Sequence, residues 1–289
     1  MARTISGTNV DSFLQRWYIW HQARLDVLQS PHGYLSPISI TWVWEGDSKT
    51  SANFPGTWSA HDDVLTYTPD PGHTIVNVGS EVTEPLHFPA SFYGEEDLAV
   101  FEYGDLIAEV KAQSDQLHPN KHRFWIRVKD SNAATRQNFK GIPFYTPSRE
   151  WKLPARFELF DEKQISTQDT VQKSVIQVLP IIGKVIFTHD GQEYSLQVAD
   201  VHGTPTIFFS DATSGDTTYG NGRILELGRA DARGLKHIDF NRAYNFPCSF
   251  TPYCTCPVPT LANRLPFAVE AGEKTPYEAQ TGADIPGGK

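Results

Sequence analysis

The chain reads as mainly β: an N-terminal helix followed by two packed antiparallel β regions, the C-terminal one a barrel-like or sandwich meander. Three observations carry this assignment. Beyond residue 33 the apolar residues alternate in runs of about five to eight, broken by Pro, Gly, Asn and Asp, which is the period of half-buried strands. A single Met against seven Trp points to a core of aromatic and β-branched residues, which favours sheets. "KVIFTHDGQEYSLQV" places two alternating runs around Asp190-Gly191, the pair that suits a type I′ hairpin because both central residues need positive φ.

The helix comes first, over 1–33. Val10, Phe13, Leu14, Trp17, His21, Leu25 and Leu28 recur near i, i+3, i+4, i+7 spacing. Asn9 or Asp11 offers an N-cap, and Pro31 and Gly33 end the run. His21 falls on the apolar stripe, where a packed, hydrogen-bonded imidazole is the expected state rather than a ligand. The next region, 34–147, carries strands in "ISITWVWEGD", "VLTYTPD", "LAVFEYGDLIAEVKA" and "RFWIRVKD". It ends in a crossing segment, "SNAATRQNFKGIPFYTPSREWKLPARF", with a boundary near Pro147 to Trp151. From 148 to 274 the hairpin, "TPTIFFSD", "RILEL" and "LKHIDF" suggest a five-strand meander, with "LPFAVEAG" as a final strand. The polar, Gly- and Pro-rich end, 275–289, reads as a flexible tail. Nothing repeats at a fixed period, which disfavours solenoids and propellers.

At 289 residues the chain buries enough surface to need no staples. A net charge of −9 argues against a nucleic-acid partner. "MARTISGTNVDSF" lacks the apolar core of a signal peptide, and no segment has the ~18 apolar residues of a membrane helix, so the expected location is cytoplasmic. Nothing specifies an oligomeric state.

Two loops concentrate polar chemistry. "ATSGDTTYGNG" is a long Gly-rich insertion, entered past Asp211 and left through Tyr219 and Arg223. Its Gly-x-Gly opens a strand rather than a helix, and "TSGDTTYG" lacks the Lys-Ser/Thr ending of a phosphate loop, so no nucleotide cofactor is expected. The second loop follows "LKHIDF", where alternation puts Asp239 and Asn241 opposite Phe240, with Tyr244 close behind. It also holds every cysteine: Cys248, Cys254 and Cys256, spaced Cys-x5-Cys-x-Cys among four prolines, with His237 nearby. That spacing departs from the paired ligands of a zinc site, so no metal is assigned. A catalytic thiol beside Arg242 or Arg264, a Cys248–Cys256 disulfide, and plain burial in a proline-stiffened plug all remain open. Glu270 lies within "LPFAVEAG", with Glu273 at its end; a carboxylate in an apolar strand has a raised pKa unless Arg264, Arg223 or Arg242 pairs with it.

"RFWIRVKDSNAATRQNFKGIPFY", "FSDATSGDTTYGNGRILEL" and "DFNRAYNFPCSFTPYCTCPVPTLANRLPFAVEAGEK" resemble the motifs of the DUF1684 proteins, a family without an established general function. The resemblance spans about residues 10 to 274. It departs from the family pattern at Thr217, Phe246, Cys254 and Thr260, which separates Cys254 from any family-wide chemistry. Matched polar positions include Arg127, Asp130, Asp211, Tyr219, Arg223, Asp239, Asn241, Tyr244, Asn263, Arg264 and Glu270; the resemblance implies that these gather, and it supplies no substrate.

The expected function is a cofactor-independent enzyme acting on a polar small molecule by hydrolysis, elimination or isomerisation. Asp239, Glu270 and Tyr244 are its candidate catalytic groups. Arg223 anchors an anionic group, with Tyr219, Asn241, Asp211, Arg127, Asn263 and Arg264 as further substrate-binding residues and Cys248 and Cys256 as candidate thiols. The alternatives are a non-catalytic small-molecule or protein-binding β module, and a thiol-dependent or metal-binding protein. An open pocket around Arg223 and Asp239 favours the enzyme, and a solid buried network there disfavours it.

Overall fold

The computed structural model describes residues 11–90, 95–114, 122–172, 175–228 and 234–277. Helix α1 (Ser12–Leu28) begins at Asp11, whose carboxylate accepts from the Phe13 amide at 2.8 Å. Asn9 and Val10 lie outside the described residues. Phe13, Trp17, His21 and Leu28 form the buried face. The Trp17 indole donates to the Asn241 carbonyl at 2.7 Å, which docks α1 on the C-terminal half of the chain. His21 is packed as expected, stacked on Trp17 and edge-on to Phe144. It is not fully hydrogen-bonded, because its Nε2 is buried with no partner among the described residues. Burial, the largest influence, lowers its pKa below 6.5 and holds it neutral.

The first β region contains β1 (Pro37–Val43), β2 (Ser48–Ser51), β3 (Phe54–His61), β4 (Val64–Thr68) and β5 (Val76–Asn77). It continues with β6 (Ser80–Glu81), β7 (Leu86–Pro89), β8 (Glu95–Tyr103), β9 (Leu106–Ser114) and β10 (His122–Asp130). Two antiparallel sheets result, ordered β1-β10-β9-β8-β5-β6 and β2-β3-β4-β7. Period-2 alternation turns Phe54, Trp58 and Ala60 of β3 inward, where Trp58, Tyr67 and Phe101 meet at the centre of the core. The crossing segment holds a short helix, α2 (Ala134–Gln137), and a 3-10 turn at Arg149–Trp151, and its end runs into the next strand from Lys152.

The second β region is one sheet ordered β16-β11-β12-β13-β14-β15-β17. Its strands are β11 (Lys152–Asp169), β12 (Ile176–His189), β13 (Gln192–Val201), β14 (Thr204–Phe209), β15 (Arg223–Glu226), β16 (His237–Asp239) and β17 (Tyr244–Asn245). The β12–β13 hairpin turns at Asp190 and Gly191, with φ of 47° and 76°, as its sequence predicts. The five-strand meander is corrected at its last member. β16 does not follow β15 in the sheet but pairs with Lys152–Pro154 of β11 at the opposite edge. β17 pairs with β15, so the two edge strands are separated in the chain only by residues 240–243. The sheet must therefore curl until its edges approach. Among the described residues no ladder joins them, and the result is sandwich-like rather than a closed barrel. Phe240, in the connecting turn, plugs the gap against Phe187 and Phe209.

The final strand is also corrected. "LPFAVEAG" forms no strand ladder among the described residues, although its alternation persists: Leu265, Val269, Ala271 and Glu273 are buried and Glu270 is exposed. Among the described residues, no helix is long and apolar enough to cross a membrane. Of the proposed tail, 278–289 lies outside the described residues.

Candidate functional site

Arg223 opens β15 immediately after Gly222, which has a φ of +85° and lies so close to the Phe209 carbonyl that a Cβ there would collide. This turn delivers the guanidinium inward. The Arg223 side chain and that of its ion-pair partner Asp211 are both 0% exposed, with Nη2 2.7 Å from the carboxylate. Nη2 also donates to the Val269 carbonyl at 2.9 Å, and Nη1 donates to the carbonyls of Ala271 and Glu273. The other Asp211 oxygen accepts from Thr213 N (2.8 Å), Thr213 Oγ1 (2.6 Å) and Val269 N (3.2 Å). A segment outside the sheet needs partners for its backbone; Ser210, Ala212, Tyr145 and Ala243 supply some through their own backbone, and Arg223 and Asp211 supply those of Val269 and Ala271. Arg223 and Asp211 thus form an internal clasp, with no face turned to a solute.

The same logic holds for other predicted residues. Asn241 is buried, its Oδ1 accepting from Ser148 N (2.9 Å) and its Nδ2 donating to Ser148 O (2.8 Å) and Asp239 Oδ1 (2.8 Å). It ties the turn after β16 to the crossing segment and holds Asp239 in place. Asn263 accepts from Gln197 N (2.7 Å) and donates to Gln197 O (3.0 Å) and Phe208 O (2.8 Å). Arg264 and Glu270 are exposed, and the expected pairing of Glu270 with Arg264, Arg223 or Arg242 does not form. The buried carboxylate is Glu273, which accepts from Asn245 N (2.7 Å) and, from α1, Arg24 Nε (3.2 Å).

The cysteines are free thiols, buried with Phe208, Ile224 and Phe246 in one apolar cluster. Cys248 N donates to Cys256 Sγ at 3.3 Å, and Tyr219 turns its hydroxyl onto the Cys248 carbonyl at 3.2 Å. A hydrogen bond to Cys256, followed by burial, pushes the Cys254 thiol up; burial is the main cause for Cys256. Both sulfurs are protonated at neutral pH, the opposite of an activated nucleophile. The ligand-type residues that lie close together among those described are Glu45, His61 and Asp62, all exposed and outside the thiol cluster.

Tyr244 stands apart from this interior. Two adjoining cavities, of about 410 and 260 Å³, share Tyr34, Ile224, Glu226, Tyr244 and Pro247 as walls. Trp20, Arg24 and Val27 of α1 line the first; Arg127, Phe208, Cys254 and Cys256 line the second. They form one cleft between α1, the outer face of β15 and β17, and the first β region. The Tyr244 hydroxyl donates to Glu226 Oε1 at 2.6 Å, and the Arg24 guanidinium lies over the Tyr244 ring at 4.3 Å. Burial first, then the Glu226 charge, pushes the Tyr244 phenol far above its ordinary pKa, so it stays a proton donor. Arg127 stacks on Trp125 at 4.4 Å and donates from Nε to Tyr253 O at 2.8 Å.

Of the predicted residues the cleft gathers Tyr244, Arg127 and Cys256, while Arg223, Asp211, Asn241 and Asn263 belong to the interior and neither Asp239 nor Glu270 lines the cleft. Sequence reasoning missed Arg24, Tyr34 and Glu226. One signal was available for Arg24, which follows Trp17 by seven residues and His21 by three and so shares their helix face.

No curated protein matches this chain. Among solved structures it is similar to the solution NMR structure of an uncharacterized protein from Haloarcula marismortui. The identity is 26% and the TM-score 0.40, covering 48% of this chain and 79% of that chain. Residues 137–274 match the family model described as protein of unknown function, DUF1684. This range holds β11 to β17, the Arg223 clasp and one wall of the cleft, whereas α1, Tyr34 and Arg127 fall outside it. Just under half of the chain, residues 137–274, is thus similar to DUF1684, a family of proteins of unknown function.

Proposed function

We propose that the protein is a small-molecule-binding β module whose site is the cleft centred on Tyr244 and Glu226. The observation that carries this reading is the contrast between two sets of polar groups. Those around Arg223, Asn241 and Asn263 are buried and held by protein groups, although the enclosed Arg223 Nε has no partner among the described residues, whereas Tyr244, Glu226, Arg24 and Arg127 line open cavities. Combined volumes of this order suit a metabolite rather than a polymer, and the net charge of −9 supports a non-nucleic-acid ligand. Three buried free thiols favour a reducing compartment, in keeping with a cytoplasmic location.

A catalytic use of the same cleft has one observation in its favour, the 2.6 Å contact between the Tyr244 hydroxyl and Glu226. Such a pair holds a proton at the Tyr244 oxygen, beside a carboxylate that could accept one. The test of the binding reading is a fragment screen by amide chemical-shift mapping. Hits should perturb Tyr34, Glu226 and Tyr244 and be lost in Tyr244→Phe and Glu226→Gln. Hits confined to the loop 211–222 would transfer the site away from the cleft. Turnover of a bound fragment, abolished by either substitution, would promote the module to an enzyme.

A further inference from the structure

We infer that the cleft recognises a small zwitterion, with a carboxylate and an ammonium group on one apolar frame, as in an α-amino acid. This deepens the binding reading above and rests on it.

The charges come in balance. Arg24, Arg127 and Lys129 stand against Glu109, Glu226 and Glu273 in and behind the walls, three cations for three carboxylates. They are also unequally engaged. Glu273 is buried and held by Arg24 and Asn245, and Glu109 is held by Lys129 at 2.5 Å, so neither is offered to a ligand. Glu226 is exposed and gives only Oε1 to Tyr244, which leaves Oε2 as an acceptor for an N–H donor.

On the other side, donors are left over. Arg24 commits Nε to Glu273 and Nη2 to the Asn245 carbonyl, so its Nη1 has no protein partner among the described residues. Arg127 commits Nε to Tyr253 O, and its Nη1 lies 3.7 Å from Glu109; Nη2 makes no hydrogen bond among them. Tyr34 lines both cavities, with Arg24 on the wall of one and Arg127 on the wall of the other, and its hydroxyl also makes no hydrogen bond among the described residues. Partial burial raises the pKa of this phenol, and both arginines act on it electrostatically in the opposite direction.

A carboxylate placed there could accept from Tyr34 and the two arginines, while an ammonium group faces Glu226. A simple anion would meet the same donors with Glu226 left unanswered, and a simple cation would meet Glu226 with two arginines beside it. Trp20, Val27, Ile224 and Phe208 give the frame of the ligand apolar walls. Arg24 also ties the site to the fold, because the residue that faces the ligand is the partner of buried Glu273 and the lid on Tyr244.

The test compares three probes of one shape by amide chemical-shift titration of the full chain at neutral pH: L-phenylalanine, 3-phenylpropionate and 2-phenylethylamine. The zwitterion should shift Tyr34, Glu226 and Tyr244 and bind at least about tenfold tighter than either singly charged analogue, a difference of ~1.4 kcal/mol. Glu226→Gln should erase its advantage over 3-phenylpropionate, and Tyr34→Phe should reduce its advantage over 2-phenylethylamine. Both substituted side chains line the cleft rather than the core, so thermal unfolding should be nearly unchanged. Equal or tighter binding of either singly charged probe overturns the zwitterion assignment. If none of the three shifts the cleft while screening fragments do, the ligand class is wrong and the cleft stands. If fragments also leave the cleft untouched, both readings fall.

Discussion

Replacing Arg223 by Met removes the charge while keeping much of the side-chain volume, and it separates an internal clasp from a ligand anchor. Asp211 then stays in the interior with 0% exposure and no counter-ion, retaining only its bonds from Thr213 and Val269. The carbonyls of Val269 and Ala271 lose charge-assisted donors at the same time. Removing one partner of a buried pair costs about 3–5 kcal/mol. With a urea dependence of about 2–3 kcal/mol per molar, the unfolding midpoint should fall by about 1–2.5 M. In the double variant Asp211→Asn, Arg223→Met, no unpaired charge is left, so part of that loss, about 1–3 kcal/mol, should return. Urea unfolding followed by tryptophan fluorescence and circular dichroism measures both. An Arg223→Met midpoint within about 0.5 M of the parent, with ligand binding abolished, would refute the clasp and restore Arg223 as an anchor.

Burial depresses the His21 pKa, so the unfolded chain takes up a proton near pH 6.5 while the folded chain resists it. The His21 contribution is therefore complete above pH 6.5 and is lost as pH falls through the folded-state value; His21→Phe should flatten the fall in melting temperature below 6.5, and parallel profiles would contradict this. The three thiols should react with a disulfide reagent only slowly in the native protein and all at once in denaturant, because they are buried and those of Cys254 and Cys256 are held protonated; a rapid native-state burst would restore a reactive cysteine. Gly222→Ala should destabilise by about 1–3 kcal/mol in the same urea titration, since its positive φ and the nearby Phe209 carbonyl both oppose a Cβ; a neutral result would mean the turn can relax.

What could be read from residues alone was local. The periodicity of α1, its cap at Asp11 and the Asp190-Gly191 hairpin depend on neighbours within a few positions, and the structure has all three. The place of β16 depends on pairing between Lys152–Pro154 and His237–Asp239 and on the Asn241–Ser148 tie, contacts between residues 83 to 93 positions apart that no local pattern encodes. The Glu270 assignment failed for a different reason. Alternation through Leu265, Phe267, Val269 and Ala271 already places Glu273 on the inward face and Glu270 outside, so the correct carboxylate was available from parity. The polar residues singled out do cluster, but chiefly as ties between strands and loops. The cleft depends on α1 crossing to the C-terminal half, which a helix's own sequence cannot announce.

The cleft itself is tested most directly by a crystal structure soaked with L-phenylalanine, refined beside one of the Glu226→Gln variant treated identically. Density is expected between Tyr34 and Tyr244 in the parent, with the carboxylate toward Arg24 and Arg127 and the amine on Glu226, and none in the variant. Density in another cavity, or equal density in both crystals, would contradict it.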